Sequence, residues 1–203
     1  MNNNIGLFFG SFNPIHIGHM AIANYLVEYS EIDQLWFVVS PCNPFKKKKK
    51  MLEDYHRVHL VQCAIENDPR FRVCDIELKL SKPSYTIDTL TYLQDFYPDK
   101  KFYIIMGSDN LKSIDKWKNY EIILKNYPIL VYPRPYYKVN SEDYPSARIK
   151  ILKAPHMEIS SSFIRRAIAD GKNVRYFLSP DVYRYMDEMN FYKNPFQKKT
   201  DLK

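Results

Sequence analysis

Long hydrophobic runs, cysteine and glycine are all scarce in this 203-residue sequence. No stretch reaches the roughly 18 apolar residues that a membrane-spanning helix needs, and the residues at the N-terminus include no basic segment or cleavage site. The three cysteines form no C-x-x-C pair, which argues against a disulfide framework and against a structural zinc site. We therefore expect a cytoplasmic protein with no membrane span and with reduced, mostly buried thiols.

The rest of the composition is that of one globular domain, with 45% hydrophobic and 26% charged residues. We predict a single domain over residues 1–192 and a basic tail over residues 193–203. The net charge of +7 suits a polyphosphate substrate or a nucleic acid equally well, so charge alone does not decide between them. Of the five glycines, Gly10, Gly18 and Gly107 lie in polar motifs, and Gly171 is placed to end a helix.

Apolar runs alternate with segments of helical spacing along the chain, a pattern typical of a parallel sheet covered on both faces. We therefore predict a Rossmann-like, doubly wound α/β fold with a mainly parallel sheet and helices on both faces. The predicted strands cover residues 5–9, 34–39, 71–75, 102–106, 127–132 and 148–152. A helix is predicted over residues 55–67, and its apolar stripe consists of Val58, Val61, Ala64 and Ile65.

The most informative stretch is Gly10-Ser11-Phe12-Asn13-Pro14-Ile15-His16-Ile17-Gly18-His19, which follows the first predicted strand and opens the first predicted helix. A helix N-terminus has unpaired N–H groups and a partial positive charge, so it suits an anion. Gly18 allows a phosphate to approach the backbone, and His16 and His19 can donate hydrogen bonds to its oxygens. The alternative is that Pro14 merely shapes a turn and that the histidines are surface or capping residues.

Further polar clusters follow other predicted strands. Asp109, after the fourth strand, can accept hydrogen bonds from ribose hydroxyls or can simply cap a helix. The serines at 160–162 can cap a helix and still offer a hydroxyl to a ligand, and Arg165 supplies a forked cation one turn later. Ser84 or Thr86 is a candidate cap for another helix, with Asp88 in its first turn.

Two other clusters have simpler explanations. The lysines at 47–50 are expected to form a solvated loop. His56 and His59 are three residues apart on a predicted helix, but no third ligand accompanies them, so we expect no metal there.

Five of these motifs resemble one family, in its order along the chain. Residues 10–19 resemble the GxFxPxHxGH motif of the HxGH nucleotidyltransferase superfamily, whose members join a nucleotide to an acceptor and release pyrophosphate. Residues 83–89 (PSYTIDT) and 107–117 (GxDxLxxxxxW) are similar to motifs of the nicotinate-nucleotide adenylyltransferases, and Pro133-Arg134-Pro135 resembles the family's arginine-proline turn. Residues 159–165 resemble its ISSTxIR motif, with Ser162 in place of threonine. One departure is Phe45, where the family usually has a histidine.

The resemblance implies transfer of AMP from ATP to nicotinate mononucleotide, with Mg²⁺ arriving with ATP. The histidines implied to be catalytic are His16 and His19. The residues implied to bind ATP are Gly10, Ser11, Phe12, Gly18, Gly107, Asp109, Ser161, Ser162 and Arg165. Those implied to bind the mononucleotide are Lys46, Ser84, Tyr85, Thr86, Trp117, which stacks on the pyridine ring in the family, and Arg134.

Two alternatives stay open. Another adenylyltransferase of the superfamily, such as one acting on phosphopantetheine, would share the first and last motifs but not residues 83–89 or Trp117. A basic nucleic-acid-binding module would need a basic stripe with exposed aromatic residues, whereas most aromatics here lie in apolar runs. We expect small-molecule substrates, no nucleic acid and no membrane, and the sequence leaves homo-oligomerisation open.

Overall fold

The computed structural model describes residues 3–41 and 51–194. Its six strands all pair in parallel and follow the order β3-β2-β1-β4-β5-β6, the strand order of a Rossmann fold. The strands are β1 (Asn4–Gly10), β2 (Gln34–Val39), β3 (Phe71–Cys74), β4 (Lys101–Gly107), β5 (Ile129–Tyr132) and β6 (Ile149–Ile151). Each predicted strand is present, with ends shifted by at most two residues.

Helices connect the strands and close the chain. They are α1 (Ile17–Tyr29), α2 (Asp54–Ile65), α3 (Ile76–Lys79), α4 (Thr86–Phe96), α5 (Ser108–Leu111), α6 (Tyr120–Asn126), α7 (Ser161–Ala169) and α8 (Pro180–Glu188). Gly171 ends α7 with a φ of 71°, and Pro180 occupies the first turn of α8, as predicted. No helix in the described part of the chain is long and apolar enough to cross a membrane.

Alternate strand residues enter two separate hydrophobic clusters, one on each face of the sheet. Phe8 and Phe37 pack with residues of α1, α2, α7 and α8, whereas Leu7 and Trp36 pack with residues of α4 and α6. This arrangement follows from the two-residue period of a strand, because continuous apolar runs bury side chains on both faces. The predicted Rossmann-like fold with helices on both faces is confirmed.

The apolar stripe predicted for α2 is confirmed, since all four of its residues pack against one hydrophobic cluster. Val61 and Ile65 are buried, but Val58 and Ala64 are only half-buried, and the buried face also includes Arg57. The sequence pattern did not predict the burial of Arg57, because a charged residue is normally assigned to the exposed side of a helix, while here backbone carbonyl groups accept hydrogen bonds from the guanidinium in the interior. The boundary at residue 192 and most of the predicted tail are not tested, since residues 195–203 lie outside the described part.

Candidate active site

The predicted site residues gather at the carboxyl edge of the central strands. Gly10 ends β1 and Gly107 ends β4, and these two strands are neighbours at the point where the strand order reverses. Ligands of open α/β sheets bind at such a switch point, outside the carboxyl ends of the strands. The loop after β1 leads directly into α1, so the N-terminus of that helix faces the same edge.

His16 and His19 are stacked at the start of α1. Their ring centroids are 3.7 Å apart with an interplanar angle of 26°. The backbone N–H of His16 donates to Nδ1 of His19 at 3.3 Å, so the proton of a neutral His19 lies on Nε2. Nδ1 of His16 is buried and has no hydrogen-bond partner among the described residues. The pair therefore offers imidazole nitrogens to a ligand beside the N-terminus of α1.

Both histidines are electrically neutral at pH 7. Burial, reinforced by the positive charge of Arg134, lowers the pKa of His16 to about 4. Burial also lowers the pKa of His19 well below its ordinary value, with smaller contributions from His16 and Arg134. Each ring can thus donate a hydrogen bond without carrying a full charge.

Phe12 and Gly18, from the same motif, pack against the two histidines. The backbone at Phe12 is left-handed, with a φ of 43°, and its ring is buried with an edge-on contact to His19 at a centroid distance of 5.2 Å. The ring of Phe12 therefore supports the histidine from the interior. At Gly18 a Cβ would lie 3.0 Å from Nδ1 of His16, so a larger residue would press on the ring.

Asp109 and Arg134 meet at the ends of β4 and β5. Arg134 Nε lies 3.9 Å from Asp109 Oδ1, and both atoms are buried without a hydrogen-bond partner in the described residues. A Cβ at Gly107 would overlap Asp109 Oδ1 and lie 3.1 Å from Arg134 Cγ. Buried polar atoms without partners are rare, and those beside an open edge are suited to meet a polar ligand.

Helix α7 is attached to the histidine loop by Ser161 and Arg165, two of its three residues predicted to bind phosphates. Ser161 donates its hydroxyl hydrogen bond to the carbonyl oxygen of Pro14 at 2.8 Å, and Arg165 Nη1 donates to that of Asn13 at 2.7 Å. Arg165 Nη2 also donates to the Ser162 hydroxyl at 3.1 Å. Ser160 caps the helix by accepting from the backbone N–H of Phe163. The two predicted phosphate-binding motifs are therefore adjacent in space.

The start of α4 differs from the prediction in its cap. Tyr85, rather than Ser84 or Thr86, stands at the N-cap position, and no side chain caps the helix. The expectation of capping was wrong because Ser84 lies one residue too early and Thr86 is already helical. Asp88 is in the first turn as predicted. The uncapped N–H groups keep their capacity to bind an anion.

The segment that carries Trp117 lies beside this helix start. Lys118 pairs with Asp88 at 3.0 Å, and its ammonium lies 4.6 Å from the centroid of the Tyr85 ring. Trp117 is half-buried at the end of a short 3-10 helix, so its indole is partly available. The structure thus places Lys118, the residue after Trp117, against the start of the helix in the predicted acceptor motif at 83–89.

Two further predictions concern Lys46 and the histidine pair of α2. Lys46, together with the rest of the lysine run, lies outside the described residues. His56 Nδ1 lies 2.8 Å from the Tyr185 hydroxyl, and no group of three or more potential metal ligands occurs in residues 3–41 and 51–194.

Sequence reasoning missed one residue that touches the candidate site directly. The Tyr132 hydroxyl accepts a hydrogen bond from Arg134 Nη2 at 3.3 Å, and burial raises the pKa of that hydroxyl. Its position at the carboxyl end of a strand was a usable signal, but the apolar run around it favoured a core assignment.

The chain resembles known proteins over almost its full length. Residues 7–167 match the cytidylyltransferase-like family. A probable nicotinate-nucleotide adenylyltransferase of Flavobacterium psychrophilum is 52% identical over 190 residues, covering 93% of this chain and 98% of the relative. One of Christiangramia forsetii is 48% identical over 194 residues, covering 95% and 100%.

The fold also matches a solved structure. The Plasmodium falciparum nicotinic acid mononucleotide adenylyltransferase complexed with NaAD superposes with a TM-score of 0.76 at 21% identity, covering 94% of this chain and 97% of that one. At that identity the likeness concerns the fold alone. The family match and the bacterial relatives show that the chain belongs to the cytidylyltransferase-like family and, within it, to the nicotinate-nucleotide adenylyltransferases.

Proposed function

We propose that this chain transfers AMP from ATP to the phosphate of nicotinate mononucleotide, giving nicotinate adenine dinucleotide and pyrophosphate. The observation that carries the proposal is the pair of stacked, neutral histidines at the N-terminus of α1, on a loop whose carbonyl oxygens accept hydrogen bonds from Ser161 and Arg165 of α7. The names of the bacterial relatives support the choice of substrates.

The proposed reaction needs no general base. The attacking group is a phosphate whose second pKa is about 6, so it is largely dianionic at neutral pH. Such a transfer is catalysed mainly by positioning the reactants and by stabilising charge on the transferred group. Neutral His16 and His19 suit this task because they donate hydrogen bonds to developing negative charge without already being paired with a fixed carboxylate.

The leaving pyrophosphate is assigned to α7. Arg165 supplies a fixed cation, and the Ser162 hydroxyl accepts from Arg165 and keeps its own proton for a phosphate oxygen. The Ser161 hydroxyl donates to Pro14 here and would reach a phosphate only by rotating away from that carbonyl. In this arrangement the same contacts that dock α7 onto the loop also place its donors near the ATP phosphates. Gly10, Gly18 and the backbone of Ser11 and Phe12 are assigned to the close approach of those phosphates.

The nucleoside of ATP and the acceptor are assigned to neighbouring parts of the site. Asp109 is assigned to the ribose hydroxyls of ATP, next to Gly107, and Arg134 is assigned to the mononucleotide. The uncapped start of α4, with Ser84, Tyr85 and Thr86, is assigned to the nicotinate carboxylate, and Trp117 to the pyridine ring. Lys46 is retained as a candidate contact to the mononucleotide.

Mg²⁺ is expected as part of the MgATP substrate. ATP-using nucleotidyltransferases generally use a divalent metal. The described residues form no multi-carboxylate cage, which fits an ion that keeps several waters and binds mainly through substrate phosphates. When bound, the ion would neutralise part of the phosphate charge.

A pyrophosphate-release assay with MgATP tests the proposal, with nicotinate mononucleotide, nicotinamide mononucleotide and phosphopantetheine offered separately. We expect the nicotinate substrate to be preferred. Reaction with phosphopantetheine alone would keep the ATP site and refute the acceptor assignment, whereas no release with any acceptor would refute the proposed function.

A further inference from the structure

Arg57 on α2 is completely buried, yet the reaction proposed above does not use it. Its Nη1 donates to the carbonyl oxygens of Ser11 at 2.6 Å and Ser40 at 2.7 Å, and its Nε donates to that of Leu52 at 3.3 Å. Ser11 directly follows β1 and Ser40 directly follows β2. One guanidinium therefore ties together the loops that leave the two strands.

Glu77 on α3 is a second buried charged residue outside the proposed chemistry. Its carboxylate accepts hydrogen bonds from the Thr89 hydroxyl at 3.0 Å and from the Ser40 side chain. Thr89 is fully buried and lies in α4, three residues after the helix begins. Burial raises the pKa of Glu77, and the two hydrogen bonds oppose that rise.

Ser40 joins the two groups, since its carbonyl accepts from Arg57 and its side chain contacts Glu77. A continuous path of polar contacts thus runs from the histidine loop at Ser11 to the start of α4 at Thr89. A second link runs along the surface side, because Asp54, which pairs with Arg57, also lies 3.7 Å from Lys82 just before α4.

Buried charges are costly unless each is fully hydrogen-bonded, and a hydrophobic pair of similar volume is often as stabilising. General stabilisation does not account for the choice of partners, because the path ends in a segment assigned to ATP and in a helix assigned to the acceptor. In-line transfer is sensitive to the separation of its two reactants, and a displacement of about 1 Å is enough to slow it about 10²-fold.

We propose that Arg57, Ser40, Glu77 and Thr89 form a positioning network that fixes the phosphate-binding loop and the acceptor helix at one separation. This inference rests on the proposed function for its assignment of the two ends. None of the four side chains is required to touch a substrate. They act by holding the segments that do.

The least disruptive substitutions in this network are Thr89→Val and Ser40→Ala, each of which removes one hydroxyl. In both variants we expect the Michaelis constant for nicotinate mononucleotide to rise about tenfold, the scale for one hydrogen bond to a buried charged group, with that for ATP unchanged within about twofold. In the double variant the Michaelis constant for nicotinate mononucleotide should exceed that of either single variant by less than about threefold, since both substitutions interrupt the same path of contacts. Thr91→Val is the matched control, because the Thr91 hydroxyl bonds only within α4, to the carbonyl of Ile87, and we expect it to behave like the wild type.

A readout that needs no substrate separates this inference from the proposed function. In hydrogen exchange measured by mass spectrometry, Ser40→Ala should speed exchange in residues 84–92 and leave residues 120–126 of α6 unchanged. Unchanged exchange over 84–92 in both single variants would overturn the network, as would equal effects on the two Michaelis constants or a Thr91→Val variant as impaired as Thr89→Val. If the wild type does not use nicotinate mononucleotide, the proposed function fails and the exchange result alone decides on the network.

Discussion

The two nitrogens of His19 have separable tasks, which a pair of substitutions can test. Nδ1 accepts the backbone N–H of His16 and so completes the start of α1, which leaves the proton on Nε2 for a phosphate. An asparagine places an amide oxygen near the position of Nδ1, and a glutamine places an amide nitrogen near that of Nε2. His19→Asn therefore keeps the structural contact and removes the donor, while His19→Gln does the reverse.

The expected magnitudes follow from what each variant loses. Removing one donor to the transition state costs about 10²- to 10³-fold in kcat, or about 2.7–4 kcal/mol of barrier, so His19→Asn should lose that much turnover at nearly normal stability. His19→Gln leaves the His16 N–H without its acceptor, so its free energy of unfolding should fall by about 1 kcal/mol while kcat stays within about tenfold of the wild type.

Turnover is measured as pyrophosphate release at saturating MgATP and nicotinate mononucleotide, and stability by urea denaturation at pH 7. His19→Ala, which loses both contacts, serves as the reference and should lose about 10²-fold or more in kcat. Near-normal turnover in His19→Asn, or a glutamine variant slower than the asparagine one, would refute the assignment of Nε2 as the donor.

Other predictions concern the acceptor, the ribose and the pH dependence. Trp117→Ala should raise the Michaelis constant for nicotinate mononucleotide far more than that for ATP, and equal effects in steady-state kinetics would indicate a structural role. Gly107→Ala should displace the Asp109 carboxylate and raise the Michaelis constant for ATP several-fold, with a melting temperature close to that of the wild type; an unchanged constant would remove Asp109 from the ribose site. Because the pKa of His16 falls from 6.5 to about 4 on folding, the unfolded chain binds more protons between those values, so stability should drop as the pH falls through that window. Between pH 7 and pH 5 the free energy of unfolding, measured by urea denaturation, should fall less in His16→Asn than in the wild type. An equal fall in both proteins would contradict the burial of a neutral His16. The rate at subsaturating mononucleotide should decline below a pH of about 6 as the acceptor phosphate is protonated, and a profile that instead rises toward acid would contradict neutral histidine donors.

The core strands were predictable because their local pattern matches their final surroundings. Continuous apolar runs such as residues 34–39 and 102–106 are buried on both faces of a parallel sheet, and no distant contact is needed to explain them. The same holds for the end of α7 at Gly171 and the start of α8 at Pro180, where one residue sets the local backbone geometry.

The motifs of the candidate site were also visible in the sequence, since each has residue types suited to phosphate or ribose next to a predicted strand or helix. The protonation states and the contacts of these residues could not be predicted from the sequence. The pKa of His16 depends on burial and on Arg134, which is more than a hundred residues away in the chain. The uncapped start of α4 and its contact with the segment of Trp117 likewise depend on how the chain packs.

Sequence alone thus determined the alternation of strands and helices and the fold class, and it predicted the residues that bind phosphates, because these follow from local periodicity and side-chain chemistry. Only the tertiary structure decided that the histidines are neutral, that α7 docks on their loop, and that Arg57 and Glu77 are buried. The physical reason is that burial, electrostatic potential and hydrogen-bond partners are set by segments distant in sequence, which meet only when the sheet and its helices have packed.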